Sequence, residues 1–314
     1  MNTPTPDLQP AEHRTTVAHG LWTAADILCA EFPEPCWVVP GIIPTGFTLL
    51  AGRSKLGKSW LDLQVALATA TGGSTLGTGV PQGKVLVLAL EDTLRRLQSR
   101  MNAQGWPQTS EAVFRNACTP AELPGLIDHT GATLVVIDTL AVLFRGYVTD
   151  WSDNAQVTNH VKPLQQLAGD QDIGIIGVFH HSKAADGDVV TDVLGATALP
   201  GVADTILGLY RQRGERDARL KVTGRDVEEH ELALRWNAFD ACWSVVGEAE
   251  SGMHRKHAPE IVAFLIANPR KTLSQVAKGL GLSKASVSRV LGDLANNGRV
   301  VLADDGTYTT VPDR

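Results

Sequence analysis

Long apolar runs are missing from this chain of 314 residues. No stretch reaches the roughly 18 to 20 uninterrupted apolar residues that a membrane-spanning helix needs. The opening, MNTPTPDLQPAEHRTT, lacks the basic-then-apolar order of a secretory signal, so a cytoplasmic protein with no membrane partner is expected. Cysteine is scarce as well. Cys29, Cys36, Cys118 and Cys242 are scattered, with no C-x-x-C pair and no histidine at metal-ligand spacing, so neither a disulfide scaffold nor a structural zinc is expected. No internal repeat is present, no carboxylate cluster argues for a nuclease, and no acceptor-substrate constellation argues for a metabolite kinase. What remains is a chain that is 43% hydrophobic, with room for one large domain and a small one.

The net charge of -6 is divided unevenly. From His254 to Arg314 nine Lys/Arg face five Asp/Glu, a net +4 that leaves -10 for the rest. An acidic body with a small basic tail suggests different partners for the two parts.

Residues 1–34 form an N-terminal segment whose first 20 or so residues, rich in Pro and Thr, read as disordered. A short helix is expected over Trp22 to Ala30, followed by an extended lead-in imposed by Pro33, Pro35 and Pro40. Strands (Phe47–Leu50, Lys84–Leu90, Val113–Asn116, Thr133–Ile137, Gly174–Phe179, Ala203–Tyr210) then alternate with helices (from Lys58, Thr93–Gln104, Asn154–Ala168). The runs LVLAL, LVVI and IIGVF are continuously apolar, as strands covered on both faces must be. The fold class is therefore α/β with a mostly parallel sheet, and RLKVTGR, LALRWN and CWSVV read as antiparallel additions at its edge. This core spans 35–247. Residues 248–257, polar and unpatterned, read as a linker. Residues 258–314 read as helix, helix, tight turn, helix and a hairpin hinged on Asp305-Gly306, the outline of a winged helix-turn-helix.

Gly52-Arg53-Ser54-Lys55-Leu56-Gly57-Lys58-Ser59 fits G-x-x-x-x-G-K-[ST] between an expected strand and an expected helix. Glycines let the backbone N–H groups turn inward on a phosphate, and the helix N-terminus adds partial positive charge. Gly52, Ser54, Lys55, Gly57, Lys58, Ser59 and the adjoining Trp60 are the candidate nucleotide contacts. Lys58 reaches β- and γ-phosphates, and the Ser59 hydroxyl suits Mg²⁺. Asp138, ending the apolar strand LVVID, faces the same sheet edge and is the second candidate for Mg²⁺. Glu91, at the end of VLVLAL, is the candidate to polarise an attacking water, with Asp92 as N-cap of the helix that follows. His180, in GVFHHSK, is placed to hydrogen-bond a γ-phosphate.

The segments FTLLAGRSKLGKSW, VLVLALED, LVVIDTL, GVFHHSK and GATALPGVADTILGLYR together resemble the RecA-type ATPase core of plasmid and phage replicative helicases, the RepA-type hexameric helicases and their AAA-family relatives. The resemblance covers about residues 35–247. It implies a RecA-like fold, a homo-hexameric ring, ATP and Mg²⁺ as cofactors, and single-stranded DNA in a central channel. By the same resemblance Lys58 and Ser59 are phosphate-loop residues, Glu91 the catalytic glutamate, Asp138 the metal-site aspartate and His180 the γ-phosphate sensor. These motors also take an arginine from the neighbouring subunit. Arg225, assisted by Lys221, is favoured from the basic stretch RQRGERDARLKVTGR, whose charge suits DNA contact equally. The loop Lys183–Leu199 corresponds to the family's channel-facing loops, although its one lysine, Lys183, stands against Asp186, Asp188 and Asp192.

The basic winged helix departs from the minimal family pattern. Lys284, Ser286 and Arg289 are expected to face a groove of duplex DNA while Val287, Val290 and Leu294 pack inward; a replication partner is the other occupant for this module. Two functions follow. One is a DNA-dependent ATPase, a hexameric helicase or translocase on single strands. The other is a non-motor protein whose ATP state gates DNA binding, as in a recombination mediator or regulator.

Overall fold

The computed structural model describes residues 22–30, 36–181, 188–193, 197–248, 252–282, 284–296, 299–303 and 306–310. The disorder expected for residues 1–20, the expected DNA contact Lys183 and the hinge at Asp305 lie outside these. Two compact units divide the chain, Met1–Pro35 and Cys36–Arg314. The first contains α1 (Ala24–Cys29), shorter than expected and started by a reciprocal capping box between Thr23 and Asp26.

The second unit opens with β1 (Trp37–Val39) and β2 (Ile43–Pro44), an antiparallel pair. β3 (Gly46–Gly52) leads into α2 (Lys58–Thr71), and the small hairpin β4 (Ser74–Thr75) and β5 (Thr78–Gly79) precedes β6 (Val85–Ala89). Then follow α3 (Leu94–Ala103), β7 (Ala112–Arg115), α4 (Leu123–Thr130), β8 (Leu134–Asp138), α5 (Leu140–Leu143), α6 (Asn154–Gln171) and β9 (Gly174–His180). α7 (Ala198–Val202) precedes β10 (Thr205–Arg211), β11 (Asp217–Gly224), β12 (His230–Asn237) and β13 (Cys242–Glu248). These nine longer strands form one sheet in the order β13-β12-β11-β10-β3-β9-β8-β6-β7. β10, β3, β9, β8, β6 and β7 run parallel, and β11, β12 and β13 extend the edge antiparallel as expected.

The continuously apolar strands divide residue by residue between two cores, because successive side chains of a strand point to opposite faces. Leu134 and Val136 of β8 join Leu50, Leu61, Val87 and Trp243 on one face. Val135 and Ile137 join Phe47, Leu49, Leu88 and Phe179 on the other. Each such buried side chain stabilises the fold by about 1.5–3 kcal/mol relative to exposure. α2 is apolar nearly all round and has most of its side chains buried, the composition of a helix enclosed by protein.

α8 (Gly252–Ala267), β14 (Lys271–Thr272), α9 (Leu273–Leu280), α10 (Lys284–Asn296), β15 (Val300–Leu302) and β16 (Thr307–Thr310) build the tail around a third core of its own. Val287, Val290 and Leu294 are buried there, as expected. Two expectations need correction. Residues 248–257 are not a plain linker, since β13 runs through Glu248 and α8 begins at Gly252. Met253, Arg255, Lys256 and Ala258 are strong helix formers, and the helix tolerates Pro259 inside it. The wing is also three-stranded, β14-β16-β15, rather than a bare hairpin.

Candidate functional site

The C-terminal ends of β3, β6, β8 and β9 bring four separated segments to one rim of the sheet. Gly52 pairs in register with His180, and Ala89 with Asp138. α2 starts at Lys58 with Gly57 as N-cap and no side-chain cap, so its first N–H groups remain available to an anion. Gly57 adopts φ +107°, and a Cβ there would stand 2.8 Å from Cζ2 of Trp243. The Trp243 indole N–H donates to the Gly57 carbonyl at 3.3 Å, so this tryptophan fills the space beneath the loop.

Lys58 is 6% exposed, and its Nζ donates to the carbonyls of Gly52 (2.7 Å) and Arg53 (3.1 Å). Burial lowers its pKa, opposed by the carboxylates of Asp138, Asp62 and Glu91. Burial raises the Asp138 carboxyl, opposed by a hydrogen bond from the Ser59 hydroxyl. That hydroxyl and carboxylate, already paired, are hard oxygen donors of the kind Mg²⁺ accepts while keeping water and phosphate in its other positions. Glu91 accepts a hydrogen bond from Thr139 Oγ1 at 2.9 Å through Oε1. His180 also lines the cavity; burial and the Lys58 cation lower its pKa, and its Nδ1 has no hydrogen-bond partner among the described residues.

The cavity, ≈ 700 Å³, is thus walled at one end by Lys58, Ser59, Glu91, Asp138 and His180. Ser54, Lys55, Gly57 and Trp60 line it too. It is also lined by residues not singled out from the sequence, Arg96, Arg100, Thr139 and Trp236, and by Arg211 of the basic stretch RQRGERDARLKVTGR. The Trp60 and Trp236 rings meet edge to face at 5.5 Å, and Trp236 meets Trp243 in the same way at 5.2 Å. Arg100 stacks 5.5 Å from the centre of Trp60, and Arg211 lies 5.2 Å from that of Trp243. Asp62, one helical turn beyond Lys58, was missed too; it is 2% exposed, and burial and the nearby Asp138 raise its pKa well above the usual carboxylate range.

Asp92 does not cap α3. Thr93 does, accepting from the Arg96 N–H, while the Asp92 carboxylate pairs with the guanidinium groups of Arg96 (3.0 Å) and Arg100. Arg225 is not brought to this rim. It follows β11, which runs antiparallel to β10 and ends opposite Thr205, at the far edge of the sheet. There it pairs with Asp204 at 3.0 Å and donates to the Gly201 carbonyl. Lys221 sits mid-strand, 3.9 Å from Glu231. Arg213 and Arg216, by contrast, are exposed in the β10–β11 turn, at the edge of the sheet where β3 ends. In the tail Lys284 is exposed at the start of α10; Ser286 and Arg289 lie on that helix, and their side chains fall outside the described residues.

His181 is 6% exposed, and burial, with Lys58 and Arg53, brings its pKa down to about 4 against the opposing pull of Asp192. Below pH about 6.5 the unfolded chain takes up a proton that the folded ring refuses until about 4, so this contribution to stability is present above 6.5 and lost as the pH falls. Its full size is about 3 kcal/mol. Urea denaturation of the wild type and His181→Gln at pH 7 and pH 5 should show a smaller acid loss in the variant. Equal losses in both would remove His181 from the account.

A family model described as an AAA domain matches residues 11–186, and one described as an IclR helix-turn-helix domain matches residues 257–302. The DNA repair protein RadA of Listeria monocytogenes is 25% identical over 175 residues, which cover 55% of this chain and 35% of that protein's length. A solved DnaB-like replicative helicase, described with its interactions with primase, superposes with a TM-score of 0.56 at 16% identity over 71% of this chain and 66% of its own. That likeness is one of fold. With the AAA model spanning more than half of the sequence and its phosphate loop built on a RecA-like sheet, the chain belongs to the AAA domain family and has a RecA-like P-loop fold with a winged helix-turn-helix tail.

Proposed function

We propose that this chain is a DNA-dependent ATPase that assembles as a homo-hexamer and moves on single-stranded DNA, as RepA-type replicative helicases do. The observation that carries the reading is the convergence of Lys58, Ser59, Glu91, Asp138 and His180 on one cavity. Likeness to a DnaB-like helicase and to a DNA repair protein supports the DNA part. So does the basic helix-turn-helix, which we assign to duplex DNA or a replication partner through Lys284, Ser286 and Arg289; Lys183 is assigned to the single strand. The division of labour is between residues 35–247, which hydrolyse ATP, and the tail from 258.

In this reading Lys58 exchanges the carbonyls of Gly52 and Arg53 for phosphate oxygens. Ser59 and Asp138 would hold Mg²⁺, which neutralises phosphate charge when bound. Glu91, held through Oε1 by Thr139, accepts at Oε2 the proton of the water whose oxygen bonds to the γ-phosphorus as the bond to the ADP oxygen breaks. His180, uncharged at neutral pH, offers a ring N–H to the γ-phosphate without adding a cation. The arginine donated to a neighbour's site is Arg213 rather than Arg225. Arg213 stands exposed at the nucleotide edge, whereas Arg225 would first have to leave Asp204.

The test is ATPase rate with and without single-stranded DNA, together with solution mass. A ring whose turnover rises with DNA is expected. A DNA-indifferent monomer sinks the motor and favours an ATP-switched DNA-binding protein, the second reading, which the RadA likeness and the three aspartates of the 183–199 loop support. Mixing Arg213→Ala subunits with Lys58→Ala subunits should recover activity that neither has alone. Recovery with Arg225→Ala instead would return the role to that residue.

A further inference from the structure

The two histidines that follow one another at the end of β9 point to opposite faces of the sheet. His180 lines the nucleotide cavity. His181 is buried on the other side, its ring 4.8 Å from that of Tyr210. Tyr210 Oη donates to Asp192 Oδ2 at 2.8 Å, and Lys221 Nζ stands 5.4 Å from the centre of the same ring. Asp192 is 2% exposed and belongs to a tight turn over 188–193, in which the Asp188 carboxylate accepts from the N–H groups of Val190 (2.9 Å) and Thr191 (3.2 Å).

Three further contacts seat that turn. Val189 and Val193 enter the core that contains Phe179. Val193 also pairs with His181 in an isolated antiparallel bridge. Gly208 of β10 leaves the room required, since a Cβ there would stand 2.4 Å from Cγ2 of Val189. A buried carboxylate is a costly way merely to pack a turn that two valines already anchor, because desolvation opposes it. Its placement beside a tyrosine hydroxyl argues for a defined position rather than for adhesion.

The same residues reach the phosphate loop. The backbone N–H of His181 donates to the Gly52 carbonyl at 3.3 Å, and that carbonyl is the one to which Lys58 Nζ donates at 2.7 Å. A triphosphate that draws Lys58 away leaves His181 as the remaining donor of this pair. The Gly52 carbonyl therefore joins Lys58 to His181, and His181 joins the turn at 188–193 through its bridge to Val193. This shared group is a physical link, and not mere proximity.

We propose that His181, Tyr210 and Asp192 form a positioning latch that seats residues 188–193 on the sheet and couples ATP occupancy to the response to single-stranded DNA. The latch rests on the DNA-dependent reading above. Tyr210→Phe keeps the ring and removes only the hydroxyl. It should leave basal turnover and the KM for ATP within about twofold of wild type while stimulation by oligo-dT falls at least about fivefold. Gly208→Ala crowds both Val189 (2.4 Å) and the Tyr210 ring (2.8 Å) without touching the hydroxyl and should act in the same direction, and Asp192→Asn, which retains an acceptor oxygen, should keep most of the stimulation that Asp192→Ala loses. Full stimulation in both Tyr210→Phe and Gly208→Ala overturns the latch. So does a loss of basal turnover in proportion to the loss of stimulation. A wild-type protein indifferent to oligo-dT defeats the DNA-dependent reading itself, and the latch with it, before any variant is made.

Discussion

Lys58→Ala is expected to weaken ATP binding by about 10²–10³-fold and to leave turnover at background. Among the described residues this amine is the only buried lysine head that lines the cavity, and it is poised on two loop carbonyls rather than in water. Three carboxylates, Asp138, Asp62 and Glu91, act on that cation. Removing it therefore does more than delete a phosphate contact. It leaves acidic groups without the positive charge that offsets them at the place where a polyanion must enter. Calorimetric titration with ATP and with a nonhydrolysable analogue reads the effect directly. Wild-type affinity in the variant would displace the nucleotide from this loop and undo the functional reading.

Glu91→Gln separates binding from chemistry. The amide is close in shape to the carboxylate and still presents an oxygen to the Thr139 hydroxyl, so the local geometry is retained. What it cannot do is accept the proton of the attacking water, an effect that amounts to about 10²–10⁴ in rate. Nucleotide affinity should stay near that of the wild type while single-turnover hydrolysis falls by that factor. Undiminished hydrolysis would place the base elsewhere on the rim. The nearby Asp62 is 2% exposed and is not among the residues that line the cavity, which leaves it a poor substitute.

The phosphate loop was legible because the chemistry is local: glycines, a lysine and a hydroxyl at fixed spacing between strand and helix. Parallel strands were legible for a related reason, since being covered on both faces leaves no polar residue in runs such as LVVI. Acidic and imidazole groups ending those strands then had to share an edge. Thr139 carried a signal that went unused, standing directly after Asp138 at the same strand end. The Asp92 clamp did so too, because Arg96 and Arg100 follow at the four-residue spacing of one helix face; Thr93 took the cap since its extended backbone (φ -81°, ψ 148°) suits that position.

Other features depended on pairing that no short stretch encodes. Arg225 follows a strand, as the resemblance requires, and the antiparallel turn from β10 into β11 carries it to the end of the sheet opposite the cavity. The wall of Trp60, Trp236 and Trp243 is assembled from α2, β12 and β13, and only the full sheet order places those elements side by side. α4 was hidden by Pro124 and Gly125; its helix is set by the burial of Leu123 and Ile127, with tertiary contact overriding propensity.

The indole cluster beside the phosphate loop has a practical consequence. Three of the chain's seven tryptophans meet there, and one supports the loop glycine from beneath. Filling or emptying that wall changes the surroundings of chromophores the protein already possesses, so its own ultraviolet emission can follow nucleotide arrival and departure without a dye.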